Sequence, residues 1–204
     1  MSSNAGATGG GRTDTRSRVL EAAWTLTVEH GVSNVTLAEI ARKAGVSRQS
    51  VYLFFGSRAG LLTEMTRHKD RTSGISRKFV LALRDGSGAG ALKRTIQIWF
   101  DYIPEIYPVA RALSGAAVAD DEAEAAWNDR MDLIHDLFLR IARRLEDEGA
   151  LAAGWNAGQA ADFIHAQAHF STWHHLVKER GWTPEEAAAR VVSALSATLL
   201  RNKG

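Results

Sequence analysis

Apolar side chains recur along this chain at spacings of three and four, and no stretch shows convincing strand-like alternation, so the pattern predicts helices almost throughout. Val19, Leu20, Ala23, Leu26 and Thr27 trace one face of a first helix, predicted from Asp14 or Thr15 to His30 with Gly31 as its stop. Leu37, Ile40, Ala41 and Ala44 trace a second. Thr36 and Glu39 can cap one another's backbone amides at its start, and Gly45 supplies the freedom needed to end it. Ser47 then caps a short third helix that turns Val51 and Phe55 inward and leaves Arg48, Gln49, Ser50 and Tyr52 on its other sides. Two short capped helices joined through a glycine are helix-turn-helix patterning.

Beyond Phe55 the Gly56-Ser57 pair separates a fourth helix carrying Leu61, Leu62 and Met65. Phe79, Val80 and Leu83 extend its pattern past Gly74 to Arg84. Asp85 to Gly90, with three glycines, reads as a loop. Leu92, Ile96, Trp99, Phe100, Ile103 and Tyr107 form the next stripe, which prolines predict to be interrupted near 104 and ended at 108, with Val109 to Ala117 as a separate short helix. The acidic run 120–124 caps a long helix bearing Trp127, Met131, Ile134, His135, Phe138, Ile141, Ala142 and Leu145, closed by Gly149. A helix from Asn156 to Arg180 follows. The last opens with Thr183 as cap and Pro184 in its first position, with Glu186 answering the cap. The fold class is all-α.

Composition narrows the class. The 204 residues include no cysteine, which excludes disulfides, thiolate metal sites and cysteine nucleophiles. No apolar run reaches the ~18 residues of a membrane span, and the N-terminus lacks the apolar segment of a secretory signal, so cytoplasmic residence is expected. Residues 1–11 are small and polar and are expected to form a disordered tail. Charge is divided unevenly: residues 1–80 hold 12 Lys or Arg against 6 Asp or Glu, the remainder 13 against 17. A basic head on a mildly acidic body suits a duplex-binding module joined to a part with another task. Arginine can donate two hydrogen bonds to guanine and glutamine can pair with adenine, which makes Arg48 and Gln49 candidate readers.

Ile40-Ala-Arg-Lys-Ala-Gly-Val-Ser47, Val51-Tyr52, Phe55 and Ser57-Arg58 followed by Leu61-Leu62 resemble the TetR family of transcription regulators, over about 45 residues. The resemblance implies an N-terminal three-helix helix-turn-helix DNA-binding domain over residues 12–57. Joined to it, over 58–204, comes a larger helical domain that binds a small effector and forms a homodimer on a palindromic operator. By position, Tyr52 would contact phosphate and Thr36 the DNA backbone, while Arg48, Gln49 and Ser50 would face base edges. Ser47, Leu53 and Arg16 complete the expected interface. Arg58 stands where the family usually has lysine, and Leu53 where a polar residue is more usual.

For the effector, an apolar pocket is expected among Trp99, Tyr102, Ile103, Tyr107, Trp127, Met131, His135, Phe138, Phe163, Gln167, Phe170 and His174. No cofactor and no metal are expected. The competing reading is a helical metal-binding protein or hydrolase using His165, His169 and His174. The spacing of His165 and His169 puts them on one helical face, but Ala166 occupies the place where a zinc hydrolase carries its glutamate. Ala160, Ala161, Ala187, Ala188, Val191, Ala194, Leu195 and Leu199 are small and apolar enough for close helix approach across a two-fold interface.

Overall fold

Each helix begins where a cap satisfies its first amides and ends where a glycine turns the chain. The computed structural model describes residues 8–84 and 86–201, with side chains from residue 13 onward. The helices are α1 (Thr8–His30), α2 (Leu37–Ala44), α3 (Arg48–Phe55), α4 (Arg58–Thr72), α5 (Ile75–Arg84), α6 (Gly88–Ala116), α7 (Asp121–Asp147), α8 (Ala157–Ala168), α9 (Phe170–Trp173) and α10 (Pro184–Leu199). A 3-10 turn, Val32–Asn34, precedes α2, and a π-helical segment, His174–Glu179, follows α9. Among the described residues the strand-type pairing is an isolated antiparallel bridge between Leu151 and Leu200. The all-α reading holds.

The chain divides into two compact units. The first holds residues up to Ser73 together with Pro108–Arg130, the second Gly74–Tyr107 together with Met131 onward. In the first unit Val19, Leu20 and Ala23 of α1, Ile40 and Ala41 of α2, Val51 of α3 and Leu61, Leu62 and Met65 of α4 form one core. Val109, Leu113, Ala123 and Ala126 join it. Val51 is the sole buried residue of α3, so this helix is held by its inner face and its two ends.

In the second unit Ala160, Ala161 and Ile164 of α8 and Ala187, Ala188, Val191 and Leu195 of α10 are buried, and these two helices touch. The small residues expected at a two-fold interface therefore serve packing inside the protomer, with Ala194 as the exposed exception. Their small side chains bring α8 and α10 together, which leaves Gln159, Asp162, Ala166, Ser193, Ala194 and Ala197 on outer faces.

Five boundaries differ from the sequence expectation. Helix α1 starts at Thr8, earlier than Asp14, so only residues 1–7 of the expected tail lie outside the described residues. The helix predicted to run from Ser57 to Arg84 is broken between α4 and α5, because Gly74 takes φ 72°, a left-handed conformation that a continuing helix excludes. The predicted loop is shorter: α6 begins at Gly88, whose amide is bonded by Glu148 (2.8 Å), while Asp85 lies outside the described residues.

Helix α6 also runs unbroken through Pro104 and Pro108, four apart and both exposed, while Ile103, Ile106 and Val109 are buried. Burial of those side chains outweighs the two lost backbone hydrogen bonds, which fall on the solvent side. Finally, the helix predicted from Asn156 to Arg180 breaks at His169, where ψ is 147° and the imidazole Nδ1 accepts from the Ser171 amide (3.3 Å), capping α9.

Candidate nucleic-acid interface and effector site

The geometry of the first unit is set by α2, the turn and α3. Thr36 Oγ1 accepts from the Glu39 amide (3.2 Å), and Glu39 Oε2 accepts from the Thr36 amide (2.9 Å) and from its hydroxyl (2.8 Å). These bonds from Thr36 hold the Glu39 carboxyl below its usual range. Gly45 closes α2 at φ 67°, and the Val46 amide donates to the Ala41 carbonyl (3.0 Å). Ser47 Oγ then accepts from the Ser50 amide (3.0 Å) and lies 2.9 Å from the Ser50 hydroxyl.

On the outside of α3, Arg48 and Gln49 are exposed, Tyr52 is 44% exposed and Leu53 is 80% exposed. The Arg48 guanidinium sits 5.6 Å from the centre of the Tyr52 ring, with Nη2 3.5 Å from the phenolic oxygen. Stacking presets the arginine on a face that carries no acidic side chain. Thr36, Arg48, Tyr52 and Arg58 line one open groove, and Asp120 and Glu122 lie in it beside them.

Two expected contact residues are engaged within the protein. Arg58 donates to Asp120 Oδ2 (2.8 Å) and to the Val32 carbonyl (2.7 Å), and Glu122 lies 3.5 Å from its Nη1. Its side chain is only 18% exposed, so it ties the start of α4 to the start of α7. Burial would raise the Asp120 carboxyl, but hydrogen bonds from Arg58 and from the Ala123 and Glu122 amides hold it below its usual range. Arg16 donates to Glu64 Oε2 (2.6 Å) and covers the Phe55 ring at 5.2 Å. The hydrogen-bonded carboxylate of Asp120 is 62 positions from Arg58, where the acidic run gives no local sign of anything beyond capping.

In the second unit the aromatic residues fall into separate groups. Trp99 is buried, donates Nε1–H to the Ala168 carbonyl (2.7 Å) and packs on Tyr102 at 6.4 Å, with Ile103 fully buried nearby in sequence. The Tyr107 hydroxyl lies 2.5 Å from His174 Nδ1, and its ring packs on Trp173 at 5.2 Å. Lys178 Nζ stands over both rings, 5.5 Å from Tyr107 and 5.7 Å from Trp173.

A third group gathers His135 and Phe138 of α7 with His165 of α8 and His169 at its end. Ring centres lie 5.7 Å (His135 to His165), 6.2 Å (Phe138 to His165) and 6.0 Å (His165 to His169) apart. Met131, Gln167 and Phe170 are partly buried, Phe170 against His169 at 5.1 Å. Phe163 packs on Trp155 (5.3 Å). Trp127 packs against the core of the first unit.

The three histidines of the metal reading are not gathered: His174 is held by Tyr107 and by Glu179 (3.2 Å). Among the described residues no group of three or more His, Cys, Asp or Glu is placed to hold a metal ion. His165 and His169, which pack beside His135 and Phe138, and Trp173, which packs on Tyr107, lie outside the effector residues expected from the sequence. The alternating run of histidines and aromatics from 163 to 175 marked them, but its spacing pointed to metal.

Residues 19–65 match the profile of the bacterial regulatory proteins of the tetR family. This stretch is what the chain shares with the TetR family. Over 41 residues it is 61% identical to an uncharacterized HTH-type transcriptional regulator of Mycobacterium tuberculosis, 20% of this chain and 22% of that protein. Over 49 residues it is 47% identical to the HTH-type transcriptional regulator SrpR of Pseudomonas putida, 24% of this chain and 23% of that one. The chain thus spans less than a quarter of the length of these curated relatives, and the matched part is the TetR-family head.

Solved structures extend the likeness of fold to the rest. NalD, the secondary repressor of the MexAB-OprM multidrug efflux pump in Pseudomonas aeruginosa, has a TM-score of 0.69 at 22% identity, covering 95% of this chain and 100% of that one. The fatty acid degradation regulator FadR from Bacillus halodurans has a TM-score of 0.70 at 16% identity, covering 89% and 94%.

Proposed function

We propose that the chain is a DNA-binding transcriptional repressor, released from a palindromic operator when a small, largely apolar effector binds the second unit. The observation that carries this reading is the outer face of α3. Arg48, Gln49, Tyr52 and the 80% exposed Leu53 project from a helix anchored inside by the buried Val51 and the partly buried Phe55. In this reading Arg48, Gln49 and Ser50 read base edges, Leu53 meets a thymine methyl, and Tyr52, Ser47 and Thr36 bind the sugar-phosphate backbone. Arg16 and Arg58 act by holding the head together.

The second unit supplies mixed aromatic and polar groups, as apolar effector sites do. NalD, of similar fold, is a repressor, which supports the same direction of regulation here. A homodimer would place two heads on one duplex, using the outer faces of α8 and α10. Among the described residues no helix is long and apolar enough to cross a membrane, in keeping with a cytoplasmic regulator.

The test is selection of bound fragments from a genomic DNA library with the full chain. Enrichment of an inverted repeat is expected, and its loss in Arg48→Ala. Recovery of no sequence above background would overturn the reading.

A further inference from the structure

The group around His165 contains an unmet requirement. His165 Nε2 is buried and has no hydrogen-bond partner among the protein groups, although the ring itself is flanked by His135, His169 and Phe138. A buried polar atom of this kind costs stability until something pairs with it. One nitrogen of each flanking imidazole is already engaged elsewhere: His135 Nε2 is bonded to Asp162 Oδ1 (2.8 Å), and His169 Nδ1 to the Ser171 hydroxyl (2.7 Å).

We infer that His165 is the hydrogen-bonding handle for a neutral, hydroxyl-bearing aromatic effector, a phenol or aromatic alcohol, whose ring packs against Phe138 and the flanking imidazoles. This rests on the reading that the second unit binds an effector.

The chemistry selects the hydroxyl. An imidazole nitrogen either donates or accepts according to its tautomer, and a hydroxyl can answer both, whereas an ether oxygen only accepts. Burial first, then the neighbouring His169 and His135, hold His165 below its ordinary value and therefore neutral near pH 7; Asp162 and Asp132 pull the other way. An uncharged imidazole offers no countercharge to a carboxylate, and Asp162 beside it disfavours one. The aromatic walls supply apolar contact, and Nε2 supplies discrimination, since a site built around a hydroxyl leaves its own polar atom unpaired when the hydroxyl is missing.

The test is calorimetric titration of the full chain with 1-naphthol, 1-methylnaphthalene and 1-naphthoate, three probes with one apolar body. 1-Naphthol is expected to bind about tenfold more tightly than 1-methylnaphthalene, as a single hydrogen bond provides, and more tightly than 1-naphthoate. His165→Leu is expected to abolish the difference while keeping the affinity for 1-methylnaphthalene. His165→Asn, which restores a polar group, is expected to recover part of it.

Equal affinities for naphthol and methylnaphthalene in the unaltered chain would overturn the inference, as would a preference for naphthoate, a preference surviving in His165→Leu, or no binding of any probe. Binding of selected operator DNA by the same samples separates this inference from the reading beneath it. DNA binding without hydroxyl preference removes only the role of His165, and absence of DNA binding removes the repressor reading itself.

Discussion

At the scale of single residues, the exposed side chains of α3 divide by what they can recognise. Arg48 and Gln49 can form paired hydrogen bonds to base edges, so Arg48→Ala or Gln49→Ala should cost about 1–3 kcal/mol on the preferred operator and less on variants altered at the contacted base pair. Tyr52→Phe removes only a hydroxyl and should weaken all duplexes alike. Fluorescence anisotropy on an operator and its single-base variants distinguishes the two outcomes. Arg58 belongs to another class, because its guanidinium joins Asp120 and the Val32 carbonyl at 18% side-chain exposure. Arg58→Ala should destabilise the chain by about 1–3 kcal/mol in urea unfolding, with Arg58→Lys losing less. Nothing local in the sequence connects Arg58 to Asp120, 62 positions away, so this ion pair is not legible from the motif that surrounds the arginine.

Elements were legible where capping and periodicity agree. Thr36 with Glu39 and Thr183 with Glu186 fixed the starts of α2 and α10, because each box satisfies amides locally. Boundaries failed where tertiary burial competes with local preference, as at Pro104 and Pro108 inside α6, or where one backbone angle decides, as at Gly74 and His169. The joint between α3 and α4 depends on Gly60 in a similar way: a Cβ there would overlap the Phe55 carbonyl oxygen. Gly60→Ala should therefore destabilise the head by about 1–3 kcal/mol and reduce DNA binding with it, measurable by thermal unfolding and anisotropy together.

The break at His169 brings a pH dependence to the second unit. Burial holds both His165 and His169 below the ordinary value of 6.5, so the unfolded chain takes up protons more readily in acid. Their neutral forms favour folding fully above 6.5, and that contribution is lost as the pH falls below it. Urea midpoints should drop between pH 7.5 and 5.5, and His165→Leu should flatten the fall. An unchanged slope in that variant would assign the effect elsewhere.

For the whole molecule, the division into a basic head and a mildly acidic body was visible in charge alone. The sequence did not reveal that Pro108–Arg130 belongs with the head, since that grouping is made by side chains such as Leu113 and Ala126 meeting a core formed far earlier in the chain. Nor did it separate the aromatic residues into their distinct groups. Regulation requires that an effector prefer a conformation with lower operator affinity, and couplings of this kind are typically about 1–3 kcal/mol, or roughly 5–150-fold.

Everything proposed here depends on sequence-selective DNA binding by the head. The direct measurement is the affinity of the full chain for its best genomic fragment against a scrambled duplex of equal length at physiological salt. The account predicts binding tighter by a factor of about 10³ or more, with a steep loss as salt rises. Equal affinity for the two duplexes would contradict it.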